Sequence, residues 1–567
     1  MTAVAGFRFL RLPRNVIGVL LGLLACSMPL HAATITVTSA ADADALDGGC
    51  TLREAITAIN NGADYSDCTH SGAAFGSGDT IAFNIPGSGV RVIQPATDLP
   101  GIVSSVAIDG YTQPGALANT NAGVDYPNIQ GTNADIRVEL DGSGVAMHGL
   151  MLGGAGSVVR GLSIVNFTRS GIFVVGTGSR IVGNFVGVHA DGTTTGANGS
   201  ALGNPHMPNA GVIVYNSFGI QVGSSSSAAD RNLIAGNQPF DVIVDSTSST
   251  TLIAGNLVGT DRSGSVALSP RMCVGFGGTG GELQRNLIAG CATAGVLLMG
   301  ADADIHDNVL GMGVGQIPLS NGTNSAAIGI VAFLEAPAVN NRLHGNRIAN
   351  SSGDGILVVG SATYAVSGNR LDGNWIWNSS GLGINLQPDG EANFTVTNND
   401  APAALDADAG PNGLQNFPVA TVATIDPGGT AYVVFTLDSA AGRSYLISAY
   451  ANDACSASGY GQGQYPAGSV TVTTDGNGHA VGLLTVPAGT QGWALGQWVS
   501  LLATDSAGGD TSEFSACRQL VAGAAPAIPP SAGTAMSVPT LSEWALILLS
   551  AILALGTLVI SNRMAQK

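Results

Sequence analysis

Three groups of residues have types and spacings that could do chemistry. Asp302, Asp304 and His306 alternate, so in an extended strand their side chains leave one face. His306 and His344 each stand two residues before an asparagine, Asn308 and Asn346. Carboxylates and imidazoles on one face could hold a divalent cation or a sugar; the plainer alternative is a solvated loop and two turn histidines. Asp406-Ala407-Asp408-Ala409-Gly410, with Asp400 and Asn412 nearby, begins like a calcium loop. Calcium takes about six to eight oxygens, and no acidic residue closes this loop at the required distance, so a polar exit loop competes with that reading. Trp375 and Trp377 alternate onto one strand face. Outward, they would form a platform on which sugars stack; inward, they would be core or domain interface, the default for tryptophan. Trp493 and Trp498 are the other notable aromatics of the C-terminal half.

The chemistry of polysaccharide cleavage is harder to place. Hydrolysis needs a pair of carboxylates flanking the scissile bond. Residues 100–395 contain no adjacent Asp pair, no Gly-His-Gly, no Arg-x-Lys and no lysine. Arginine is available as a lyase base, without a dense acid cluster to hold a cation. No residue is therefore assigned a catalytic, cofactor-binding or metal-binding role, and calcium is carried only as an option.

The surrounding elements must be short strands. The 567 residues include 81 glycines, 45% are hydrophobic and only 10% are charged. Dense, regularly spaced Val, Ile and Leu with that much glycine fit many strands joined by tight turns. The net charge of −18, with 20 basic residues and no basic stripe, argues against nucleic acid as a partner.

From about residue 100 to 395 the chain repeats itself. Ile181-Val182-Gly183-Asn184, Leu233-Ile234-Ala235-Gly236-Asn237, Leu252-Ile253-Ala254-Gly255-Asn256, Leu343-His344-Gly345-Asn346 and Val366-Ser367-Gly368-Asn369 are versions of one turn-ending strand. Asn286 to Gly290 repeats Asn232 to Gly236, with Cys291 in the Asn237 place. Neighbouring copies stand 19 and 23 residues apart (Asn237 to Asn256, Asn346 to Asn369), which reads as about one coil of a parallel β-helix. One coil cannot bury its own apolar face, so coils stack. Asparagine at the recurrent turn suits a left-handed backbone and a side-chain ladder to the next coil.

Upstream, Thr34 to Thr38 alternates as a strand, and Thr51 with Glu54 has capping-box spacing. A helix is expected from there to Gly62, with Leu52, Ala55, Ile56 and Ile59 on one face, covering the open end of the solenoid. The order of strand, acidic loop, Cys50-Thr51-Leu52-Arg53-Glu54-Ala55, Cys68 and Gly78-Asp79-Thr80-Ile81 resembles the CSLREA domain that precedes β-helix repeats in bacterial surface proteins. Arg53 and Glu54 are read as surface ion pair and helix cap. Past the repeats, strand-like runs at Ala431–Leu437, Ser444–Tyr450, Ser469–Thr474, Ala480–Val486 and Trp498–Ala503 predict a small antiparallel sandwich. Its end, Ala503 to Ser515, resembles the terminal segment of Ig-like modules.

Both chain ends read as addresses. Residues 1–32 carry Arg8, Arg11 and Arg14, an apolar run from Val16 to Ala25, and Leu30-His31-Ala32, a signal peptide of the Sec route. Leu23-Leu24-Ala25-Cys26 as a lipidation box is the alternative. Val538-Pro539-Thr540-Leu541-Ser542-Glu543-Trp544, then apolar residues to Ile560 and a basic end, resembles the IPTL-type sorting signal of Gram-negative bacteria. That resemblance implies an exosortase-like sorting enzyme as partner and a location at the cell envelope or surface, membrane-anchored or released after sorting. With Cys26 removed, six cysteines remain. In an exported chain these favour disulfides, and proximity suggests Cys50–Cys68, Cys273–Cys291 and Cys455–Cys517 among about fifteen connectivities.

The expected organisation is an all-β chain. It runs as signal peptide (1–32), CSLREA-like N-terminal cap and first coils (33–110), right-handed parallel β-helix (111–400), exit loop and Ig-like β-sandwich (401–520), linker (521–537) and sorting signal (538–567) with a transmembrane helix at 544–560. The expected work is adhesion, glycan binding or envelope structure, with an extracellular glycan or cell-surface ligand as partner. The alternative is a polysaccharide lyase or glycoside hydrolase acting on an acidic glycan, because pectin lyases and polygalacturonases share the β-helix fold.

Overall fold

The computed structural model describes residues 32–526, apart from 124, 144–146, 200–207, 269, 323–325, 333–335, 392–394, 401 and 403–404. The signal peptide, the lipidation box, the sorting signal and the helix expected at 544–560 lie outside the described residues. Among the described residues no helix is long and apolar enough to cross a membrane.

Three long sheets wrap around one apolar column. Sheet I has eleven strands, from Ala33–Val37 to Arg342–His344 with His70–Gly72 at its edge; sheet II has ten, from Arg91–Ile93 to Trp375–Trp377; sheet III has nine, from His148–Leu152 to Ile384–Gln387. The chain visits them in rotation, as in Val158–Arg160 (I), Leu162–Val165 (II) and Ser170–Val174 (III). The pairing between coils is parallel, for example Ile305 beside Leu343 and Ile348 beside Ile376; the edge strand His70–Gly72 pairs antiparallel. The architecture is thus a parallel β-helix. Alternate residues point inward, so Val186, Ile234, Val258, Ile288, Leu310, Ile348 and Ile376 form one fully buried file on sheet II. Each such side chain removed from water contributes about 1.5–3 kcal/mol.

The corners are held by asparagine. Asn184, Asn232, Asn256, Asn286, Asn308, Asn346 and Asn374 stand one above another between sheets I and II, all buried. Each Nδ2 donates to the next Oδ1, at 2.9 Å for Asn232 to Asn256 and 3.0 Å for Asn286 to Asn308. That same Oδ1 accepts the preceding backbone N–H, and the amide also reaches a carbonyl of the coil before, as Asn232 does to Ile181 at 2.9 Å. Every polar atom of these side chains is satisfied inside an apolar wall.

This ladder corrects the repeat length. Asn237 belongs to the corner between sheets II and III, where Asn198 donates to it at 2.8 Å. Asn369 belongs to the corner between sheets III and I, beneath Asn341 at 2.8 Å. The 19- and 23-residue spacings therefore run between different corners. True coil spacings along the first ladder are 48, 24, 30, 22, 38 and 28 residues. All three corners meet the same need, a turn with an internal amide, and each uses a Gly-Asn pair in some coils, as at Gly183-Asn184, Gly236-Asn237 and Gly368-Asn369, so the motif recurs faster than the coil.

Helix α1 (Leu52–Asn61) carries the complete capping box of Thr51 and Glu54 and stops at Gly62 in the left-handed region. Leu52, Ala55, Ile56 and Ile59 join the column. Arg53 grips Asp42 through two nitrogens at 2.9 and 2.8 Å and reaches the carbonyls of Thr97 and Asp98. At the other end lie two four-stranded sheets. One contains Ala431–Asp438 and His479–Val486; the other contains Ser444–Asn452, Tyr465–Thr473 and Trp498–Asp505. The stretch read as a linker from residue 521 begins instead with a strand, Val521–Ala522, beside Val419–Ile425. Tyr450, Leu502 and Phe514 of this β-domain pack into the column itself, so it closes the final coil. Cys50–Cys68, Cys273–Cys291 and Cys455–Cys517 are bonded, the pairs that proximity suggested. Cys291 stands in a corner position where other coils have Asn237 or Asn321, and its N–H still donates to Asn321 Oδ1 at 3.1 Å.

Candidate glycan-binding groove

The residue after each ladder asparagine opens a sheet II strand and points outward. In the earlier coils it is Phe185, Leu233, Leu257, Leu287 and Val309, buried in a second apolar cluster with Ile129, Ala134 and Ile136. That cover is a long loop between sheets I and II of an early coil. Arg231, 1% exposed, fixes it by donating to the carbonyls of Gly123, Gln130, Gly131 and Gly255. Burial among neutral carbonyls, with no carboxylate partner, pulls its guanidinium down to about 10.

In the last two coils the same outward position becomes Arg347 and then Trp375. The parallel register sets Arg347 beside Trp375 and Ala349 beside Trp377. The Arg347 Cζ lies 3.4 Å from the Trp375 ring centre and 5.2 Å from that of Tyr126, which the Arg231-anchored loop delivers. Tyr126 donates its hydroxyl to Gln316 Oε1 at 2.9 Å. Both tryptophans are half-buried, with Ile376 between them in the core. They face outward where the coils meet the β-domain: Trp377 packs in part against the second apolar cluster, and Arg347 covers one face of the Trp375 ring, so the remaining indole surface is what the clefts expose.

Two clefts open here, between the last coils and the β-domain. One, of about 250 Å³, has Arg347, Trp375, Trp377, Tyr126, Gln464 and Tyr465 in its lining; the second, of about 440 Å³, shares Trp377 and Gln464 and continues along Asn452, Asp453 and Ser456. Aromatic faces with amides around them match the two sides of a pyranose ring, apolar C–H faces and a hydroxyl rim. Among the described residues Asp453 is the one carboxylate lining either cleft, and it is already engaged by Gln464 Nε2 at 2.8 Å, Tyr465 Oη at 3.1 Å and Gln497 Nε2 at 3.1 Å. Trp493 is buried in the β-domain core, and Trp498 pairs with Asn452 and Gln519.

Most of the other groups singled out by sequence are engaged by neighbouring side chains, although among the described residues Asp408 Oδ1 is buried without a hydrogen-bond partner. His306 and His344 are cross-strand neighbours on sheet I, stacked at 5.0 Å and 6°. His306 contacts Glu282 at 2.8 Å and Asp307 at 3.0 Å, and His344 contacts Asp304 at 3.0 Å. Burial works against charge on both rings. The hydrogen bonds to Glu282 and Asp307 outweigh it and raise His306, whereas burial and nearby Arg342 lower His344. One stacked ring is thus biased to carry charge and the other to stay neutral. Asp302 sits apart, accepting from Asn340 at 3.3 Å. In the suspected calcium loop, Asp406 binds Gln415 and Ser439 and accepts the Asn416 N–H, and Asp400 accepts from Ala407. Among the described residues no three His, Cys, Asp or Glu side chains converge as a metal site.

Residues 536–564 match the IPTL-CTERM motif. Comparison with curated protein sequences finds no match. Among solved structures, an alginate lyase from Paenibacillus sp. str. FPU-7 aligns with 61% of this chain and 96% of its own, at 13% identity and a TM-score of 0.37. The full-length tailspike protein 2 from Escherichia coli O157:H7 bacteriophage CAB120 aligns with 80% of this chain and 64% of its own, at 10% identity and a TM-score of 0.21. The chain carries a C-terminal sorting motif of the kind that implies a processing enzyme of exosortase type and points to export to the cell surface.

Proposed function

We propose that this chain is an exported cell-envelope protein that holds a glycan strand in the groove between its last coils and its β-domain. The observation that carries the reading is the pair Trp375 and Trp377, half-buried and outward on one strand, each lining an open cleft rimmed by amides. Indole faces take sugar rings without a demand for charge, and amides suit hydroxyls. The sorting motif supports placing that groove outside the cell. On this reading the CSLREA-like segment closes one end of the solenoid, the Ig-like β-domain closes the other and forms one groove wall, and an exosortase-like enzyme fixes the chain at the envelope.

The test is a glycan array followed by titration of Trp375→Ala and Trp377→Ala. Binding that falls at least tenfold in either variant supports the groove, since a stacked aromatic contributes about 1–2 kcal/mol or more. Unchanged binding in both removes it. Release of shortened or unsaturated products during the same incubations would show an enzyme instead.

A further inference from the structure

Resting on the glycan reading above, we propose that the ligand is an anionic polysaccharide whose carboxylate or sulfate is read by Arg347. The guanidinium lies over the Trp375 ring, with Cζ 3.4 Å from its centre, and over the Tyr126 ring at 5.2 Å. Aromatic contacts engage the faces of a guanidinium; its N–H donors lie in the plane, along the edge. Among the described residues, that edge makes no hydrogen bond and no ion pair. Several other buried or half-buried arginines are engaged: Arg53 with Asp42, Arg180 with Asp230, Arg370 with Asp372, and Arg231 with four carbonyls. A half-buried, rigidly oriented cation with idle donors is a fork waiting for a planar or tetrahedral oxyanion.

The charge around it agrees. Among the described residues Arg347 is the one charged residue in the lining of the smaller cleft, where its polar neighbours are the amides Gln316, Gln464 and Gln491 and two phenols. In a chain with 38 acidic and 20 basic residues, a cleft with a single cation and no carboxylate runs against the overall balance. Partial burial also lowers the Arg347 guanidinium from its usual range, an effect that the nearby Tyr126 and Asp307 offset only in part, so a bound anion would complete the compensation.

The experiment uses the purified chain and four probes: polygalacturonate, the same polymer with its carboxyls reduced, hyaluronate and dextran sulfate. Titrations compare the parent with Arg347→Gln, Arg347→Lys and Trp375→Ala, at low and raised salt. The expected result is that an anionic probe binds, that carboxyl reduction weakens binding to the parent tenfold or more, and that Arg347→Gln loses about ten- to a hundredfold on the anionic probe. Arg347→Lys should recover part of this and not all, because it keeps the charge without the fork. A circular dichroism spectrum of Arg347→Gln that matches the parent's shows that the variant is folded. A preference between polygalacturonate and dextran sulfate tells carboxylate from sulfate. If no anionic probe binds better than the reduced polymer, or if Arg347→Gln binds anions like the parent, the inference is overturned. The glycan reading then survives only if Trp375→Ala or Trp377→Ala still weakens binding tenfold or more.

Discussion

Removing one rung of the asparagine ladder should unzip a coil junction, and Asn286→Ala is the sharpest case. The Asn286 amide donates to the carbonyls of Ile253 and Gln284 at 2.9 Å and to Asn308 Oδ1 at 3.0 Å. Its Oδ1 accepts the Asn256 N–H at 3.0 Å and the Asn256 amide at 2.9 Å. With alanine there, the Asn256 N–H and one Asn256 amide hydrogen lose their partners inside the protein. A buried neutral group left unsatisfied costs about 1–3 kcal/mol, so two of them give roughly 2–5 kcal/mol once partial relaxation is allowed. Asn477→Ala, on an exposed turn of the β-domain, is the control and should change stability by about 0.5 kcal/mol or less. Urea unfolding followed by circular dichroism gives the loss, and amide hydrogen exchange at Asn256 shows where it falls. A loss below about 1 kcal/mol with unchanged exchange at Asn256 would mean that the ladder does not bind coil to coil, and the argument for the corners fails.

Three further outcomes follow from the structure. Burial pushes Glu513 up to about 8 and Asp406 to about 6, and raises Asp354 and Asp241 as well, all favouring the protonated form in the folded state. Their contribution is complete below the unfolded carboxylate range and is lost as pH rises through 6 and then 8, so the melting temperature should fall between pH 5 and pH 8.5; a flat or rising profile contradicts this. Arg231→Met should release the loop that carries Tyr126, costing about 3 kcal/mol or more in stability and raising protease cleavage within residues 113–133; an intact loop under limited proteolysis refutes the anchoring role. Replacing Cys273 and Cys291 by serine opens a bond spanning 18 residues, and about 3 kcal/mol of loss is expected in thermal melts, with no loss marking the bond as dispensable.

Much of the scaffold was legible because its physics is local. Thr51 and Glu54 announced the helix start and Gly62 its stop, and both are where capping chemistry puts them. Alternation between Ala431 and Ala503 gave five strands of the β-domain within a few residues, although the short edge strands Arg518–Gln519 and Val521–Ala522 carry too little pattern to read. The coil length was misread because Asn237 and Asn256 look alike while occupying different corners; only strand pairing separates them.

The groove was half legible. Alternation placed Trp375 and Trp377 on one face, but the choice between core and solvent depended on Ile376 being the inward residue. Arg347 was missed. Its signal was present in the sequence: it follows a corner asparagine, as do Leu233, Leu257 and Leu287, so a charge in an otherwise apolar file marks the place where the loop cover ends. Tyr126 lies far away in sequence from Arg347 and Gln316, and no local pattern brings them together. The Asp304, His306 and His344 cluster illustrates the converse, since matched positions on adjacent coils produced ion pairs rather than a site.

The most direct measurement is a crystal structure of the chain with the tightest-binding oligosaccharide from the array. A sugar ring stacked on Trp375 or Trp377, with its hydroxyls on the Gln464 side of the groove, is the predicted result. A sugar seated elsewhere along the coils, with both indoles bare, would contradict the account.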